Sequence, residues 1–463
     1  MQHQGESPRR RDRVVVVVLP FQGHLNPILE LAKILHSIGF PITITHPEFN
    51  CPDPSTHPEF DYLCFRGFVP SSGFMDRDGN IDLSRLADMI LNLNERCRNQ
   101  FRRAMEELMR KEEEKGGRIG CIVYDQYMFL AQDVAKDLNL KGVVLRTGGA
   151  ITLLAFAGGR RMDQQGSKSV TVSEARKHDD SNIGEVYKAI EAMLPPSFSE
   201  LTAAVNEAFS SAAAIILNTM ESLESQALRK VRECYVSPIL TIGPFHKITC
   251  KSSPNSLLKE DWSCIPWLDE QEPRSVLYVS FGSIASISEA EFMEIALGLE
   301  AAEQPFLWVI RKELIHGRND WNELLPQNLK NMVEERRSCI VSWAPQKRVL
   351  AHQAVGAFWS HCGWNSTLES ICEGVPVLCR PFFGDQPADA KYIARVWKVG
   401  LELKDNRLER SEIEKCIRTL MVEKEGEEIR ARAAALKEKI QLNLSGGPSE
   451  KNLNRLEDLT ISV

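Results

Sequence analysis

No segment of this 463-residue chain is apolar for long enough to cross a bilayer. The run nearest the start, residues 14–20, falls far short of the roughly 20 residues that a spanning helix needs. It ends in Pro20 with no small-residue cleavage site, so neither a membrane span nor a secretory signal is expected. Positive charge is not in excess: 56 Lys and Arg stand against 63 Asp and Glu, which argues against a nucleic-acid binder. No two of the 12 cysteines have the C-x-x-C spacing. Scattered cysteines in a chain of this size are expected to be reduced, buried thiols of a cytoplasmic protein, not a disulfide framework or a zinc site. There is no G-x-G-x-x-G, which excludes a nicotinamide enzyme of the usual pattern.

What is present is ordinary globular composition, 43% apolar and 26% charged, which can bury a sizeable core. Strand and helix patterns alternate in two successive halves. Residues 14–19 read as a mostly β-branched strand, after which Leu25, Ile28, Leu29, Ala32 and Leu35 recur at helical spacing. Strands at 42–45, 121–124, 143–146, 215–217 and 239–242 follow, with a long helix at 82–115 and a shorter one at 128–138. The pattern restarts with strands at 275–281, 306–310, 339–343, 355–360 and 376–379, and a polar-faced helix at 427–444 ends it. Such alternation implies crossover connections and parallel sheets. The expected fold is α/β, with two Rossmann-like domains facing a cleft: residues 1–245, a linker at 246–262, and residues 263–440. The basic residues Arg9, Arg10, Arg11 and Arg13 read as a solvated tail, and 106–115 as a solvated helix end.

Ligands of such sheets bind at the carboxyl ends of the strands. His24 follows the first strand within Phe21-Gln22-Gly23-His24, where an imidazole suits a general base. Asp125 follows the strand at 121–124, at the same sheet edge, where a carboxylate can hold a His ring in one tautomer. A second constellation runs over 343–386. It contains Trp343-Ala344-Pro345-Gln346, Ser360-His361-Cys362-Gly363-Trp364-Asn365-Ser366, Glu369 and Asp385-Gln386. A strand end, a glycine turn and a helix start there offer free backbone N–H groups to an anionic diphosphate, with His361 and Ser366 beside them. Glu369, one helical turn past Asn365, can accept bonds from a sugar diol. Trp343 can stack on a base. Gly282-Ser283 closes another strand and offers a further phosphate contact.

The 343–386 segment resembles the signature box of plant UDP-dependent glycosyltransferases, at full length and without gaps. The Phe21-Gln22-Gly23-His24-Leu25-Asn26-Pro27 start is similar to that family, as is 121–125 followed by Ala131-Gln132-Asp133-Val134-Ala135. The resemblance implies a GT-B fold, in which the first domain binds an acceptor, the second binds UDP-sugar, and a C-terminal helix at 441–463 packs back on the first. It implies that Trp343 stacks on uracil while Ala344 and Gln346 meet its edge, and that Glu369 holds the ribose hydroxyls. His361, Asn365, Ser366 and Ser283 would hold the diphosphate. Trp364, Asp385 and Gln386 would meet the sugar, with Gly23 and Thr147 as further donor contacts. His24 would be the base and Asp125 its partner in inverting transfer of glucose from UDP-glucose. The acceptor would be a phenolic, flavonoid, terpenoid or cytokinin-like hydroxyl compound. No metal or other cofactor would be needed, and the family is usually monomeric. The chain departs from the family pattern at Ser360 (commonly Thr), at Gly148-Gly149 (commonly hydroxylated) and at Asp389 (frequently Asn).

Other readings compete. A non-catalytic UDP-sugar-binding protein would keep the box and lose the base, yet both His24 and Asp125 are present. His57-x-x-x-Asp61 mimics an acyltransferase motif, but Tyr62 stands where its glycine belongs. Asp76-Arg77-Asp78 spells the metal-diphosphate D-x-D of another transferase fold, but follows no strand and reads as a surface loop. Residues 164–200, where acceptor contacts are expected by the resemblance, are polar and weakly periodic.

Overall fold

The computed structural model describes residues 11–70, 75–76, 81–157, 181–249, 257–318, 320–444 and 447–461. Arg77 and Asp78 of the D-x-D, residues 164–180 and part of the expected linker lie outside these residues. The first sheet comprises β1 (Arg13–Val17), β2 (Ile42–Pro47), β3 (Asp61–Phe65), β4 (Ile119–Asp125), β5 (Lys141–Arg146), β6 (Ala214–Leu217) and β7 (Ile239–Thr241). They are all parallel, in the order β3-β2-β1-β4-β5-β6-β7. The second comprises β8 (Val276–Ser280), β9 (Phe306–Val309), β10 (Cys339–Val341), β11 (Val355–Ser360), β12 (Val377–Cys379) and β13 (Gly400–Glu402). It is parallel too, in the order β10-β9-β8-β11-β12-β13.

The valine run of β1 shows why these strands read as continuous apolar stretches. Val15 and Val17 enter the core on one face of the sheet, Val14 and Val16 the core on the other. Helices cover both faces, so alternation buries every residue. Each such side chain contributes about 1.5–3 kcal/mol by leaving water. The strand order reverses between β1 and β4 in one sheet and between β8 and β11 in the other, and at these points adjacent loops diverge and leave a crevice.

Two strands, β3 and β13, were not anticipated. β3 is an edge strand whose residues are mostly half-buried or exposed, so it carries little apolar signal. The helix at 427–444, observed as Lys424–Leu444, does not end the chain pattern: the C-terminal helix that the resemblance implies at 441–463 is Pro448–Ile461, and it lies on the first sheet. Leu456 joins the core of Val14 and Val16, and Asn452 Nδ2 donates to the Thr241 carbonyl at 3.1 Å. Gly120 makes room for it, since a Cβ there would sit 2.3 Å from the Thr460 carbonyl oxygen.

The expected solvated tail is in part structural. Arg13 is buried in β1, 2.5 Å from Asp61 Oδ2 and 3.2 Å from Glu112 Oε1. Glu112 is therefore the buried exception on a helix end read as solvated. Arg11 pairs with Glu457 and lies over the Phe40 ring. The expectation of uniformly buried thiols also fails, because Cys51 and Cys64 are exposed. Among the described residues no helix is long and apolar enough to cross a membrane.

Candidate active site

The turn after β1 leads into the helix Gln22–Ser37 and places His24 at the cleft. Its Nδ1 lies 2.7 Å from Asp125 Oδ2, at the end of β4. The other carboxylate oxygen, Oδ1, accepts the Tyr127 backbone N–H at 2.9 Å. Asp125 is fully buried and both oxygens are engaged, so it is a fixed acceptor. An imidazole that donates Nδ1–H to it carries its lone pair on Nε2, the arrangement of a general base. Thr147 Oγ1 lies 3.2 Å from the same Nδ1.

The second domain faces this pair with the ends of β8 and β11. Gly282, at φ 72°, turns the chain after β8 against His361, whose Nε2 would be 2.7 Å from a Cβ at Gly282 or at Gly363. Only glycine at both places lets the imidazole lie between the two loops. Burial, with the Arg311 charge nearby, pushes the His361 pKa down to about 4. It is therefore a neutral hydrogen-bond donor toward an anion, not a cation. Arg311, which sequence reasoning missed, donates from Nε to the Gly282 carbonyl at 3.1 Å and from Nη2 to the Ala285 carbonyl. It braces the turn that carries Ser283 and places a buried positive charge behind it. Only its position after β9 hints at this role.

Beyond β11, Cys362 adopts a left-handed backbone at φ 63° and opens the helix Trp364–Glu373. No side chain caps that helix and no acid sits in its first turn, so its N-terminal N–H groups face the cleft as an anion site. Gln346 Nε2 donates to Ser366 Oγ at 2.9 Å and to Glu369 Oε2 at 2.7 Å, and the Tyr278 hydroxyl donates to Gln346 Oε1. Burial raises the Glu369 pKa to about 7, opposed by the Lys347 charge.

His24, Thr147, Gly23, Ser283, Trp343, Ala344, Gln346, His361, Trp364, Asn365, Ser366, Glu369, Asp385 and Gln386 line one cleft of about 280 Å³, with Asp125 directly behind His24. The structure adds detail that spacing could not. Asn365 Nδ2 donates across the cleft to the Gly23 carbonyl at 2.8 Å. Trp364 Nε1 donates to the Asn218 carbonyl at 2.9 Å, so the indole ties the domains together. Gln386 Oε1 accepts from the Phe382 N–H, leaving its amide NH₂ for a ligand. Glu260 and Trp262, at the end of the expected linker, also line the cleft, and the Asp261 N–H between them donates to the Trp343 carbonyl at 2.7 Å. By contrast His57 is fully buried and lines none of it.

The departures at Gly148, Gly149 and Asp389 form one cluster. A Cβ at Gly148 would lie 2.5 Å from Asp385 Oδ2 and 2.6 Å from Arg146 Nη2. Glycine thus lets the buried Arg146 guanidinium approach Asp385, at 3.6 Å. Arg146 also donates to Gln126 Oε1 and Thr152 Oγ1. One turn beyond Asp385, Asp389 is fully buried with neither carboxyl oxygen partnered. Burial, then Asp385 and Glu224, push its pKa well above the carboxylate range. A raised folded-state pKa makes the group increasingly destabilising as pH rises above the unfolded value of about 3.9. Asp389→Asn is therefore expected to stabilise the protein by about 1–3 kcal/mol at neutral pH, with the gain vanishing below about pH 4. Thermal melts across that range check this, and a gain independent of pH would contradict the assigned cause.

Comparison with known proteins agrees with this geometry. Residues 86–435 match the family model described as UDP-glucoronosyl and UDP-glucosyl transferase. UDP-glycosyltransferase 76B1 of Arabidopsis thaliana is 40% identical over 96% of this chain and 98% of its own length. The flavonol 3-O-glucosyltransferase UGT76E12 of the same species is 39% identical over 96% of both chains. Among solved structures, Os79 from O. sativa in complex with UDP superposes with a TM-score of 0.80 at 26% identity, covering 97% of this chain and 100% of that one. Phytolacca americana UGT2, complexed with UDP-2-fluoro-glucose and pterostilbene, gives a TM-score of 0.75 at 25% identity, covering 97% and 100%. With two parallel sheets meeting at their switch points in a GT-B fold, and this similarity over nearly its full length, the chain belongs to the plant UDP-glycosyltransferases, enzymes that transfer a sugar from UDP to small metabolites.

Proposed function

We propose that this glycosyltransferase moves glucose, with inversion, from UDP-glucose to a hydroxyl of a small phenolic, flavonoid, terpenoid or cytokinin-like compound. His24 is its general base and Asp125 the partner that orients it. The observation that carries this reading is the 2.7 Å contact of His24 Nδ1 with a buried carboxylate across from the diphosphate-binding helix start. His24 Nε2 takes the acceptor hydroxyl proton as that oxygen attacks the anomeric carbon. The bond to the UDP oxygen breaks, and UDP leaves with the electron pair. Asp125 offsets the imidazolium that forms. Charge growing on the diphosphate is met by the backbone donors of the helix starting at Trp364, by Ser283 and by the neutral His361. Arg311 adds positive potential from behind the Gly282 turn. These groups supply the compensation that a divalent cation would otherwise provide, so transfer needs no metal. Glu369 takes the ribose diol, Trp343 stacks on uracil, and Asp385 and Gln386 take the glucose hydroxyls. The flavonol 3-O-glucosyltransferase relative and the pterostilbene complex support a flat phenolic acceptor among the classes named.

The test is incubation with UDP-glucose, EDTA and a panel of plant phenols, terpenoids and cytokinins, read by mass spectrometry. A product heavier by one hexose, formed with EDTA present, is expected. Products only with another UDP-sugar would overturn the donor assignment, and a requirement for added divalent metal would overturn the charge argument.

A further inference from the structure

Away from the diphosphate side of the cleft, His46, Cys51 and Cys64 come together among the described residues. A ring nitrogen of His46 and the two Sγ atoms all lie within 4.8 Å of one another. Tetrahedral zinc with bonds of about 2.0–2.3 Å would hold such atoms about 3.3–3.8 Å apart, so modest side-chain rotation closes the set. The backbone brings them there by two routes. His46 and Cys64 are directly opposed in the parallel register of β2 and β3, which puts both side chains on one face of the sheet. Asn50, in a left-handed conformation at φ 46°, turns the chain after β2 so that Cys51 comes back over that edge.

The tautomer of the imidazole is already set. His46 is buried, and its Nδ1–H donates to the Pro47 carbonyl at 2.8 Å, which leaves the lone pair on Nε2. A ring N–H held by a backbone carbonyl is the usual outer support of a metal-bound histidine. Cys51 Sγ–H donates to the same carbonyl at 3.7 Å. Both cysteines are exposed and unbridged, so an ion has an open path and a fourth position for water. Two thiols and an imidazole are a soft donor set that selects zinc-like ions over magnesium or calcium.

We propose that His46, Cys51 and Cys64 bind one thiophilic metal ion of the Zn²⁺ type, a site separate from the sugar-transfer chemistry. Each thiol releases its proton to solvent as the metal–sulfur bond forms. Occupancy ties the turn bearing Cys51 to β2 and β3. That turn reaches the segment before His24, since Asn50 Nδ2 donates to the Pro20 carbonyl at 3.3 Å and the Phe49 and Phe21 rings meet edge to face. The metal therefore braces the acceptor side of the cleft.

The experiment is a Co²⁺ titration of the full-length protein, kept reduced with a phosphine, followed by displacement with Zn²⁺. The expected result is a saturable thiolate-to-cobalt charge-transfer band with the visible bands of tetrahedral coordination, one ion per chain, lost on adding Zn²⁺. Cys51→Ser and Cys64→Ser each weaken Co²⁺ binding at least about tenfold, a lost ligand costing no less than a lost outer-shell partner. The double variant abolishes the band while its metal-free melting temperature stays at the wild-type value, since both side chains are exposed. A band unchanged in the double variant overturns the proposal, as does an octahedral spectrum without thiolate absorption, or conversion of the two thiols to a disulfide under these conditions.

Discussion

His24→Ala is expected to lower kcat for glucosyl transfer by about 10²–10⁴-fold, the usual contribution of a positioned general base, with UDP affinity changed by less than about twofold. The separation follows from the architecture. His24 and Asp125 lie at the edge of the first sheet, whereas the groups assigned to UDP follow β8, β10 and β11 or lie on the helix Trp364–Glu373, all in the second domain. Asp125→Asn should also lose activity, for a different reason. The introduced amide keeps its oxygen on the Tyr127 N–H and so turns its NH₂ toward His24 Nδ1, where Asp125 Oδ2 stood at 2.7 Å. An NH₂ donating to Nδ1 fixes the proton on Nε2, the wrong nitrogen for a base. The check is kcat from mass-spectrometric initial rates beside calorimetric binding of UDP. Full activity of His24→Ala would remove it from the mechanism, and equal loss of rate and UDP affinity would make it a donor-binding residue instead.

The second large effect falls on Glu369. Removing it with Glu369→Ala is expected to weaken UDP binding about 10–150-fold, the value of hydrogen bonds to a charged group being about 1.5–3 kcal/mol. Its pKa near 7 adds a pH signature. In the proposed mode of binding the ribose diol donates to the carboxylate, so only the ionised form accepts both bonds. A folded-state pKa raised by burial means that this form is depleted as pH falls below about 7, and UDP affinity falls with it, approaching tenfold per pH unit. Affinity levels off above that pH. Glu369→Gln keeps one acceptor, flattens the profile, and stabilises the unliganded protein at high pH by removing a buried charge. Calorimetry across about pH 5.5–8.5 with uridine as well as UDP isolates the effect, because uridine carries the diol without a phosphate that titrates in this range. A flat uridine profile in the wild type would show that Glu369 does not hold the diol in its ionised form.

How much of this was legible in the chain depended on the range of the interaction. β1 and β11 were plain because strands buried on both faces are written as unbroken apolar runs. The helix Gln22–Ser37 was plain because its buried residues repeat at helical spacing. β3 was not, because an edge strand with one open face needs no apolar pattern. The helix Pro448–Ile461 was not read from its own residues, because its partner surface on β4 and β7 lies more than 200 positions away, as the Asn452–Thr241 contact shows.

The same division holds at the site. Residue types clustered in one stretch, as in 343–386, mark an anion-binding helix start without coordinates, because strand end, turn and helix start are local and the donors they expose are set by backbone geometry; the nucleotide sugar was implied by the resemblance of that stretch to a family. His24 and Asp125 could be placed on one sheet edge by topology, since parallel strands all end at the same rim. Their contact, the neutrality of His361, the raised pKa of Glu369 and the brace supplied by Arg311 come from burial and from neighbours distant in the chain. The gathering of His46, Cys51 and Cys64 is of that second kind. Local pattern settles the elements that bury an apolar face and where they lie; the packing of one element on another decides the edge strand and the C-terminal helix, and sets the distances and desolvation on which proton affinity and ligand geometry depend.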